Sequence, residues 1–391
     1  MLAIVGKKIA KGPAGTGSPF KVAHLTTVHA AGDVRIFRKE CRSLAEGGYE
    51  VILIAPGQGT RVEEGVKIRG VPLDPARRVK RMTVGLGKIL AAALREGADL
   101  YHFHDPELIP VGIFLKIRGK KVIYDVHEDY GASILEADRD WLPDFWRRLF
   151  ARGVRLAERV GMTFFDAAVA ATPAIGDLFP AAKVAVARNY PLAGELSATG
   201  SVPYQRRPYH VVYAGGISES RGIREMIGAM ALMRGRPEAT LLLAGEFSPP
   251  ELEGEVLSGA DMTGVRYLGL LSREELAAVL GNSRAGLVLF HPLKNHVAAQ
   301  PNKLFEYMSA GIPVIASDFP LWREIVVKNG AGLLVDPKDV RAIAEAIGWL
   351  FDHPEEARRM GENGKEAVEK TYNWSKEEET LLGLYGDLLQ A

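Results

Sequence analysis

The sequence predicts an α/β protein built from two doubly wound domains with parallel sheets. Short apolar segments rich in β-branched residues alternate with amphipathic segments of helical spacing, which is typical of a parallel sheet covered by helices on both faces. The alternation stops in residues 192–208, where Gly, Ser, Thr, Pro and Arg break the periodicity, and then starts again. The length of 391 residues also suits two domains.

The first half predicts six buried strands and four helices. The strands are expected at residues 20–26, 50–55, 100–104, 121–127, 166–171 and 183–187, which are short and lie between helix-breaking or polar residues. The helices are expected at residues 35–46, 82–96, 107–117 and 144–159. We therefore predict a first domain over residues 1–195.

The second half repeats the pattern. Strands are expected at residues 209–213, 240–244, 265–268, 285–290, 313–316 and 332–335. Helices are expected at residues 223–233, 273–280, 302–310, 320–327 and 340–352. We predict a second domain over residues 196–373, followed by a C-terminal helical segment, 374–391. Open α/β sheets bind ligands at the carboxyl ends of their strands, so we expect a cleft between two such ends.

Composition excludes several classes of protein. Hydrophobic residues make up 47% and charged residues 25%, a globular balance that excludes disordered and fibrous chains. The net charge of +1 argues against a dedicated nucleic-acid-binding protein. Cys41, the one cysteine, cannot form an internal disulfide, and no apolar run reaches the roughly 18 residues of a spanning helix. We expect a cytoplasmic protein.

Charge is divided unevenly between the two halves. Residues 1–195 contain 29 basic and 22 acidic side chains, a net charge of +7, which leaves −6 for the remainder. Residues 141–160 contain five arginines among large apolar side chains, as in a helix lying on an anionic lipid surface. A helix packed on its own sheet is the alternative. Lipid contact would place the protein at the inner face of the membrane.

Residues 300–317 carry the strongest chemical signal. Pro301 suits a first helical turn and Gly311 suits the left-handed position that ends a helix, so a helix should begin near Asn302. Its free amides and Lys303 would form an anion site. Because Lys303 and Glu306 share a face, the cation could hold a phosphate and the carboxylate a diol of one nucleotide. A surface Lys–Glu pair is the alternative.

Seven motifs, in this order and spacing, resemble glycosyltransferase family four. They are Val28-His-Ala-Ala-Gly-Asp-Val-Arg-Ile, Tyr101-His-Phe-His-Asp-Pro-Glu-Leu, Val122-Ile-Tyr-Asp-Val-His-Glu-Asp-Tyr, Arg188-Asn-Tyr-Pro, Tyr213-Ala-Gly-Gly-Ile, residues 300–317 and Tyr372-Asn-Trp. Members of that family have the GT-B fold, two facing Rossmann-like domains. The resemblance implies a retaining glycosyltransferase that moves a sugar from a nucleotide-diphosphate sugar to a hydroxyl acceptor, in cell-surface glycan or glycolipid synthesis. It also implies that the C-terminal helix packs back on the first domain.

The resemblance implies specific donor contacts in the second domain. In the family, a basic pair after the first strand holds the diphosphate, usually an arginine after a glycine and a lysine five positions later. Here Gly215 is followed by Gly216, and Arg221 fills the second position. One charge is therefore missing, and we expect Lys303 to supply it. With Arg221 and Lys303 as catalytic cations, Gly215, Gly216 and Asn302 become donor-binding residues.

Two glutamates eight positions apart are also typical of the family. Glu306 matches the second, which binds the ribose hydroxyls, but Ala298 stands at the position of the first, which touches the transferred sugar. How the sugar is held and which sugar it is therefore do not follow from the sequence.

The first domain supplies candidates for the sugar and the acceptor. The loop 28–33 contains Gly32 but no Gly-x-Gly-x-x-Gly run, so it is a donor-contact candidate and not a dinucleotide fingerprint. His104 and Asp105 follow one predicted strand, and His127 and Glu128 follow the next. The resemblance implies that His104 contacts the donor sugar near the reacting carbon. Asp105, His127 and Glu128 are candidate contacts to sugar or acceptor.

We expect no metal and no other cofactor. Asp138 and Asp140 match an Asp-x-Asp metal motif, but they lie in an acidic, helix-like stretch, so we interpret the match as chance. Two cations and a helix dipole would already neutralise a diphosphate. Two alternatives to transfer stay open: a non-catalytic sugar-nucleotide-binding subunit, and a nucleotide-sugar epimerase with the same fold.

Overall fold

The computed structural model describes residues 19–136, 143–196, 202–259 and 261–390. The chain divides into two compact units: unit 1 is Met1–Asn189 with Trp374–Ala391, and unit 2 is Tyr190–Asn373. Each unit is an α/β domain around one sheet, as the sequence predicts. Within the described ranges, no helix is both long and apolar enough to cross a membrane.

The described part of unit 1 contains an eight-stranded sheet in the order β3-β4-β2-β1-β5-β6-β7-β8. Neighbouring strands are parallel except β3, which runs antiparallel to β4. The strands are β1 Lys21–Leu25, β2 Glu50–Pro56, β3 Thr60–Glu63, β4 Val66–Val71, β5 Leu100–Phe103, β6 Lys121–Val126, β7 Ala167–Ala170 and β8 Val184–Val186. The sequence did not predict the β3–β4 hairpin, because β3 is exposed along its whole length and has no buried face to create a pattern.

Helices cover both faces of this sheet. The predicted helix 35–46 is a π-helix, Val34–Cys41, that continues as an α-helix, and 82–96 likewise begins as the π-helical turn Arg81–Gly85. Short 3₁₀ turns are found at Pro106–Leu108 and Ala181–Lys183. The α-helices are α1 Arg42–Glu46, α2 Arg78–Lys80, α3 Leu86–Glu96, α4 Ile109–Ile117, α5 Tyr130–Glu136, α6 Asp144–Phe164 and α7 Pro173–Gly176.

The two faces of the unit 1 sheet differ in chemistry. One face packs an apolar core against α3, α4 and α6 and includes Leu25, Phe103 and Tyr124. Side chains alternate along a strand, so the neighbouring residues His102 and Asp125 face the opposite side. Polar side chains therefore lie at the centre of the sheet, on the face toward Val34–Cys41.

The described part of unit 2 contains six parallel strands in the order β11-β10-β9-β12-β13-β14. They are β9 His210–Ala214, β10 Thr240–Ala244, β11 Val265–Gly269, β12 Ala285–Val288, β13 Val314–Ser317 and β14 Gly332–Val335. Apolar cores lie on both faces. Because both faces are covered, these strands are short apolar runs, which is why the sequence predicts all six.

The helices of unit 2 include the five predicted ones and two long additions, α9 and α15. They are α8 Ile223–Leu232, α9 Glu251–Gly259, α10 Arg273–Gly281, α11 Lys294–Val297, α12 Asn302–Ser309, α13 Pro320–Val326, α14 Val340–Asp352 and α15 Pro354–Lys370, with 3₁₀ turns at Tyr204–Arg206 and Glu219–Arg221. The last helix, α16 Trp374–Gln390, belongs to unit 1. There the Trp374 indole donates to Ser43 Oγ at 2.9 Å.

Candidate functional site

The candidate donor site of unit 2 begins with a buried lysine at the start of α12. Lys303 is only 8% exposed. Its Nζ donates to the Tyr213 hydroxyl at 2.9 Å and lies 4.9 Å from the centre of the Phe290 ring. α12 begins at Asn302, directly after Pro301, as the sequence predicts. Its first amides and the ammonium therefore occupy the same turn.

Arg221 lies beside this lysine. Its Nη1 donates to the Gly216 carbonyl at 3.0 Å, and its guanidinium lies 5.6 Å from the centre of the same Phe290 ring. A Cβ built on Gly216 would lie 2.5 Å from Arg221 Nη1. The guanidinium thus fills the space that a side chain at Gly216 would need. A side chain at position 216, such as the arginine of the family pattern, is therefore incompatible with this placement of Arg221.

Gly215 completes what we call the two-cation pocket: Gly215, Gly216, Arg221 and Lys303. Gly215 has a φ of +118°, and a Cβ there would lie 3.2 Å from Lys303 Nζ, so glycine satisfies both the backbone conformation and the close approach. Within the described residues, no carboxylate oxygen lies within 4.0 Å of either cation. Burial, and then the neighbouring Arg221, lower the pKa of Lys303 well below its usual value, and Glu306 only partly opposes this. The pocket is electrostatically incomplete until an anion binds.

Glu306 has a partner that the sequence did not suggest. Arg273 Nη1 donates to Glu306 Oε1 at 2.7 Å, and Arg273 Nε donates to Glu195 Oε1 at 3.0 Å. Arg273 is the first residue of α10, which the Ser272 capping box starts. Glu306 is therefore held from the side by an arginine, and a ribose diol would share the carboxylate with that arginine.

Two histidines adjoin the two-cation pocket, and the sequence analysis missed both. The His296 ring lies 4.8 Å from the Phe290 ring, and burial followed by the charge of Arg221 lowers the pKa of His296. His291 Nε2 lies 2.9 Å from Glu225 Oε1. Ala298 directly follows α11, in the same connection. The available signal was two histidines five residues apart, just after a buried strand.

In unit 1, the predicted histidine belongs to a buried group that we call the histidine cluster: His24, His102, His104, Glu40, Asp125 and Arg35. Each of its side chains is at most 4% exposed. Arg35 donates to Asp125 through Nε at 3.2 Å and Nη2 at 3.0 Å. Arg35 Nε also lies 3.0 Å from Glu40 Oε1. The signal for this cluster in the sequence was polar residues within apolar strands.

His104 is enclosed by other imidazoles. Its Nε2 lies 3.0 Å from His24 Nδ1, and its Nδ1 lies 3.3 Å from His127 Nε2. The imidazoles that reach the surface are His127 and His29, whose side chains are 18% and 27% exposed. Both ring nitrogens of His104 thus have partners in the protein, and His127 lies between it and solvent.

The remaining candidates of unit 1 lie around these two histidines. Asp105 is buried and accepts from the Thr27 amide at 2.6 Å and the Thr26 hydroxyl at 2.8 Å, so its contacts are internal. Glu128 is exposed and accepts from Ser133 Oγ at 2.9 Å. Gly32 has open space where a Cβ would lie. It precedes Asp33, whose side chain caps the π-helix Val34–Cys41.

The pKa of His29 is shifted in the opposite direction from those of the buried histidines His24 and His102. Burial opposes protonation, but the Asp33 carboxylate at 3.2 Å and the Asp105 carboxylate raise the pKa of His29 above its usual value. Burial, and then neighbouring histidines, lower the pKa of His24 and His102 well below theirs. The partly exposed His29 is therefore protonated more readily than the buried imidazoles His24 and His102.

The histidine cluster also contains the one metal-like set of ligands in the described residues. Donor atoms of Glu40, His102, His104 and Asp125 lie within 4.8 Å of one another. Ligand atoms around tetrahedral zinc are closer, about 3.3 Å apart, as the roughly 2.0–2.1 Å bond length requires. Arg35 already supplies a cation to both carboxylates. The set is therefore better suited to Arg35 than to a metal. Asp138 and Asp140 lie outside the described residues.

Two family models match most of the chain. Residues 32–190 match the glycosyl transferase 4-like domain, and residues 201–367 match the glycosyl transferases group 1 domain. The two parallel-sheet domains are those of the GT-B fold. The chain belongs to the group 1 glycosyltransferases, with a first domain of the family-four type.

Curated relatives match only part of the chain. Glycogen synthase of Mycobacterium tuberculosis is 25% identical over 201 residues, 49% of this chain and 46% of the relative. Phosphatidyl-myo-inositol mannosyltransferase of Mycobacterium leprae is 26% identical over 199 residues, 48% of this chain and 49% of the relative. The chain thus spans about half the length of the curated relatives that it matches.

Solved structures match the whole fold at low identity. Sucrose-phosphate synthase from Thermosynechococcus elongatus aligns with a TM-score of 0.76 at 19% identity, covering 95% of this chain and 99% of that one. HepE of Anabaena, in complex with UDP and glucose, aligns with a TM-score of 0.69 at 14% identity, covering 94% and 100%. At these identities the likeness establishes the GT-B fold alone.

Proposed function

We propose that this protein transfers a sugar from a nucleotide-diphosphate sugar to a hydroxyl acceptor, with retention of the anomeric configuration, in the synthesis of a cell-surface glycan or glycolipid. The observation that carries this proposal is the two-cation pocket. Lys303 and Arg221 meet at the start of α12 with no carboxylate within 4.0 Å among the described residues. A diphosphate carries the charge and the acceptor oxygens that such a pocket lacks.

The pocket would act on the leaving group. As the bond between the anomeric carbon and the β-phosphate oxygen breaks, negative charge grows on that phosphate, beside Arg221 and Lys303. The acceptor oxygen then forms its bond to the anomeric carbon on the same face, and its proton passes to the leaving phosphate oxygen. Glu306, oriented by Arg273, would hold the ribose. This scheme needs no enzymic nucleophile.

In unit 1, His127 and His29 are better placed than His104 to touch the sugar. Both are partly exposed, whereas His104 is fully buried with partners at both nitrogens. We therefore assign His104 the task of orienting His127. Glu128 and the loop at Gly32 remain contacts for sugar or acceptor in this proposal.

The relatives support the class of substrate. HepE has been crystallised with UDP-glucose, and a mannosyltransferase among the curated relatives is named for a phosphatidylinositol acceptor. We therefore propose a lipid-linked hydroxyl acceptor, reached by peripheral contact with the inner face of the membrane. We also propose that turnover needs no metal, because two protein cations and the α12 amides serve the diphosphate.

A non-catalytic sugar-nucleotide-binding subunit is the second candidate. Gly216 and Ala298 favour it, because each lacks a charged side chain that active family members carry. A nucleotide-sugar epimerase would bind the nucleotide through the same residues. Product analysis separates the three, since transfer yields a glycoside, epimerisation yields an isomeric donor, and a binding subunit yields neither.

The test starts from the nucleotide. The melting temperature should rise with one of UDP, GDP, ADP or dTDP, as ligand linkage requires, and the matching sugar donor should then support transfer in the presence of EDTA. No shift with any of the four would remove the donor assignment. Turnover that EDTA abolishes and Mg²⁺ or Mn²⁺ restores would overturn metal independence.

A further inference from the structure

The outer surface of α6 carries an unusual amount of apolar area. This helix has 21 residues and buries one side, with Ala151, Glu158, Gly161 and Met162, against unit 1. Facing away from that side are Phe145, Trp146, Leu149, Phe150, Leu156 and Val160, which are between 45% and 69% exposed. At about 100° per residue they occupy one continuous arc of about 140°. A patch of this kind on a monomer marks an interaction site.

The aromatic residues are concentrated in the first two turns of α6. The Phe145 and Trp146 ring centres are 5.6 Å apart, and those of Trp146 and Phe150 are 6.3 Å apart. Trp146 thus contacts both phenylalanine rings, and the three side chains are between 48% and 69% exposed in the described structure. Trp and Phe on the apolar face of a helix favour the interface between water and lipid.

Arginines form a ridge beside the apolar arc. Arg148, Arg152, Arg155 and Arg159 fall within an adjoining arc of about 60°, between the apolar arc and the buried side. All four are exposed. Arg155 pairs with Asp129 at 3.3 Å, whereas no described carboxylate lies within 4.0 Å of Arg148, Arg152 or Arg159. Of the two acidic residues of α6, Glu158 faces inward and Asp144 pairs with Arg147. The ridge complements an anionic surface.

Topology places the aromatic end of α6 at the edge of the sheet that carries the candidate site. β6 and β7 are parallel neighbours, so the intervening helix α6 runs back from the carboxyl edge to the amino edge. His127 directly follows β6 at that carboxyl edge. A second exposed group, Val79, Met82 and Val84 among basic residues, lies in the connection from β4 to α3 and so at the same edge.

We propose that the outer face of α6 docks unit 1 on an anionic lipid bilayer, with the rings of Phe145, Trp146 and Phe150 inserted and Arg148, Arg152 and Arg159 at the phosphate headgroups. Apolar insertion alone would not select lipid charge, and the arginine ridge supplies that selection. Docking brings the carboxyl edge of unit 1 close to the bilayer. The docking proposal rests on the proposed function in one respect only, because it takes the acceptor to be a hydroxyl group carried by the membrane.

The first experiment measures co-sedimentation with vesicles of phosphatidylcholine containing 30% phosphatidylglycerol, and with pure phosphatidylcholine. The wild type should bind the anionic vesicles far more tightly. Arg148→Gln/Arg152→Gln/Arg159→Gln should lower the partition coefficient on anionic vesicles about a hundredfold, since each basic residue near such a surface contributes about 1 kcal/mol. The matched control, Arg266→Gln/Arg341→Gln/Arg359→Gln, removes equal charge from exposed positions of unit 2 and should leave binding within about twofold, because only the long-range charge changes.

The second experiment tests insertion. Phe145→Ser/Trp146→Ser/Phe150→Ser should weaken binding at low and high salt alike, and brominated lipid should quench wild-type fluorescence more than that of Trp146→Phe. Wild-type binding equal on the two vesicle types, or equal loss in the unit 2 control, would overturn docking. Docking would also be overturned if the wild type bound no vesicles and sedimentation velocity showed that it forms a dimer, which the triple serine variant does not form. The melting shift with nucleotide, measured on the same variants, reports separately on the proposed function.

Discussion

Buried charge is compensated differently in the histidine cluster of unit 1 and in the two-cation pocket of unit 2. In the cluster, the Asp125 carboxylate receives two hydrogen bonds from Arg35, and both side chains are almost completely buried. In the pocket, Lys303 is nearly as deeply buried, and its Nζ donates to the Tyr213 hydroxyl. The buried charge of Asp125 is thus matched by Arg35, whereas no carboxylate lies within 4.0 Å of Lys303 among the described residues.

The states of the titratable groups follow from this difference. Burial alone would raise the pKa of Asp125, but the Arg35 guanidinium holds it well below its usual value. Burial, and then Asp125 itself, raise the pKa of Glu40 well above its usual value, so Glu40 is the protonated partner. Within the cluster, the Arg35–Asp125 pair is matched in charge and lies next to His127, with Asp125 Oδ1 3.5 Å from His127 Nε2. The pocket keeps excess positive charge for an anion.

The largest effect should come from breaking the matched pair. Arg35→Met leaves Asp125 buried without its cation and should lower the free energy of unfolding by about 3–5 kcal/mol, measured by urea denaturation. The control is Arg284→Met, because Arg284 is equally buried and donates to the backbone carbonyls of Arg207 and Gln205. A loss in Arg35→Met no larger than in Arg284→Met would mean that Asp125 does not depend on the pair.

Replacing a cation of the two-cation pocket should weaken ligand binding without lowering the free energy of unfolding. Lys303→Met should weaken nucleoside-diphosphate binding by about 2–3 kcal/mol, yet leave unfolding unchanged or raise its free energy, since it removes an unmatched buried charge. Arg221→Ala should weaken binding by a similar amount. Calorimetric titration of both variants, with chemical denaturation in parallel, measures the two quantities. Normal nucleotide affinity in both variants would remove the pocket from the donor site.

Glu158 of unit 1 is a third case of a buried ionisable group, a carboxyl group. Within the described residues no cation lies within 4.0 Å of it, and Tyr124 donates to it at 3.0 Å. Burial raises its pKa to about 7. The folded protein therefore keeps a proton that the unfolded chain loses near pH 4.5, so stability is lost as the pH rises from about 5 to 7.

Glu158→Gln removes this loss. Relative to the wild type, the variant should gain about 2 kcal/mol between pH 5 and pH 7, at about 1.4 kcal/mol for each pKa unit. Melting temperatures of both proteins across that range measure the difference, in which all other titrating groups cancel. A difference that does not change with pH would show that Glu158 is ionised throughout.

The smallest effect concerns Arg273, the pocket's neighbour. Arg273→Gln keeps a donor for Glu306 but removes the ion pair, and should weaken nucleoside-diphosphate binding by about 1 kcal/mol. The same titration with the corresponding deoxyribonucleotide should show a smaller loss, because one ribose hydroxyl is absent. An equal loss with both nucleotides would make Arg273 a structural partner of Glu306 only.

Local patterns account for what the sequence predicted well. The predicted strands are present because runs buried on both faces look alike wherever they occur. Pro301 marked the start of α12 for a purely local reason, its missing amide hydrogen. β3 and α5 were missed because neither has a strong apolar period. The π-helical start of the helix at Val34 also has no local signature in the sequence.

The sequence by itself determined the two-domain α/β fold, the family, and the residue types of the two-cation pocket, since these depend on short-range periodicity and on motifs in order. Only the tertiary structure decided which charges meet. Arg35 reaches Asp125 across 90 positions and Arg273 reaches Glu306 across 33, pairings set by strand register and helix packing. His104 lies at a strand end, as predicted, but the same packing encloses it beneath His127. Contact between residues far apart in sequence is a property of the assembled sheet, which no local pattern encodes.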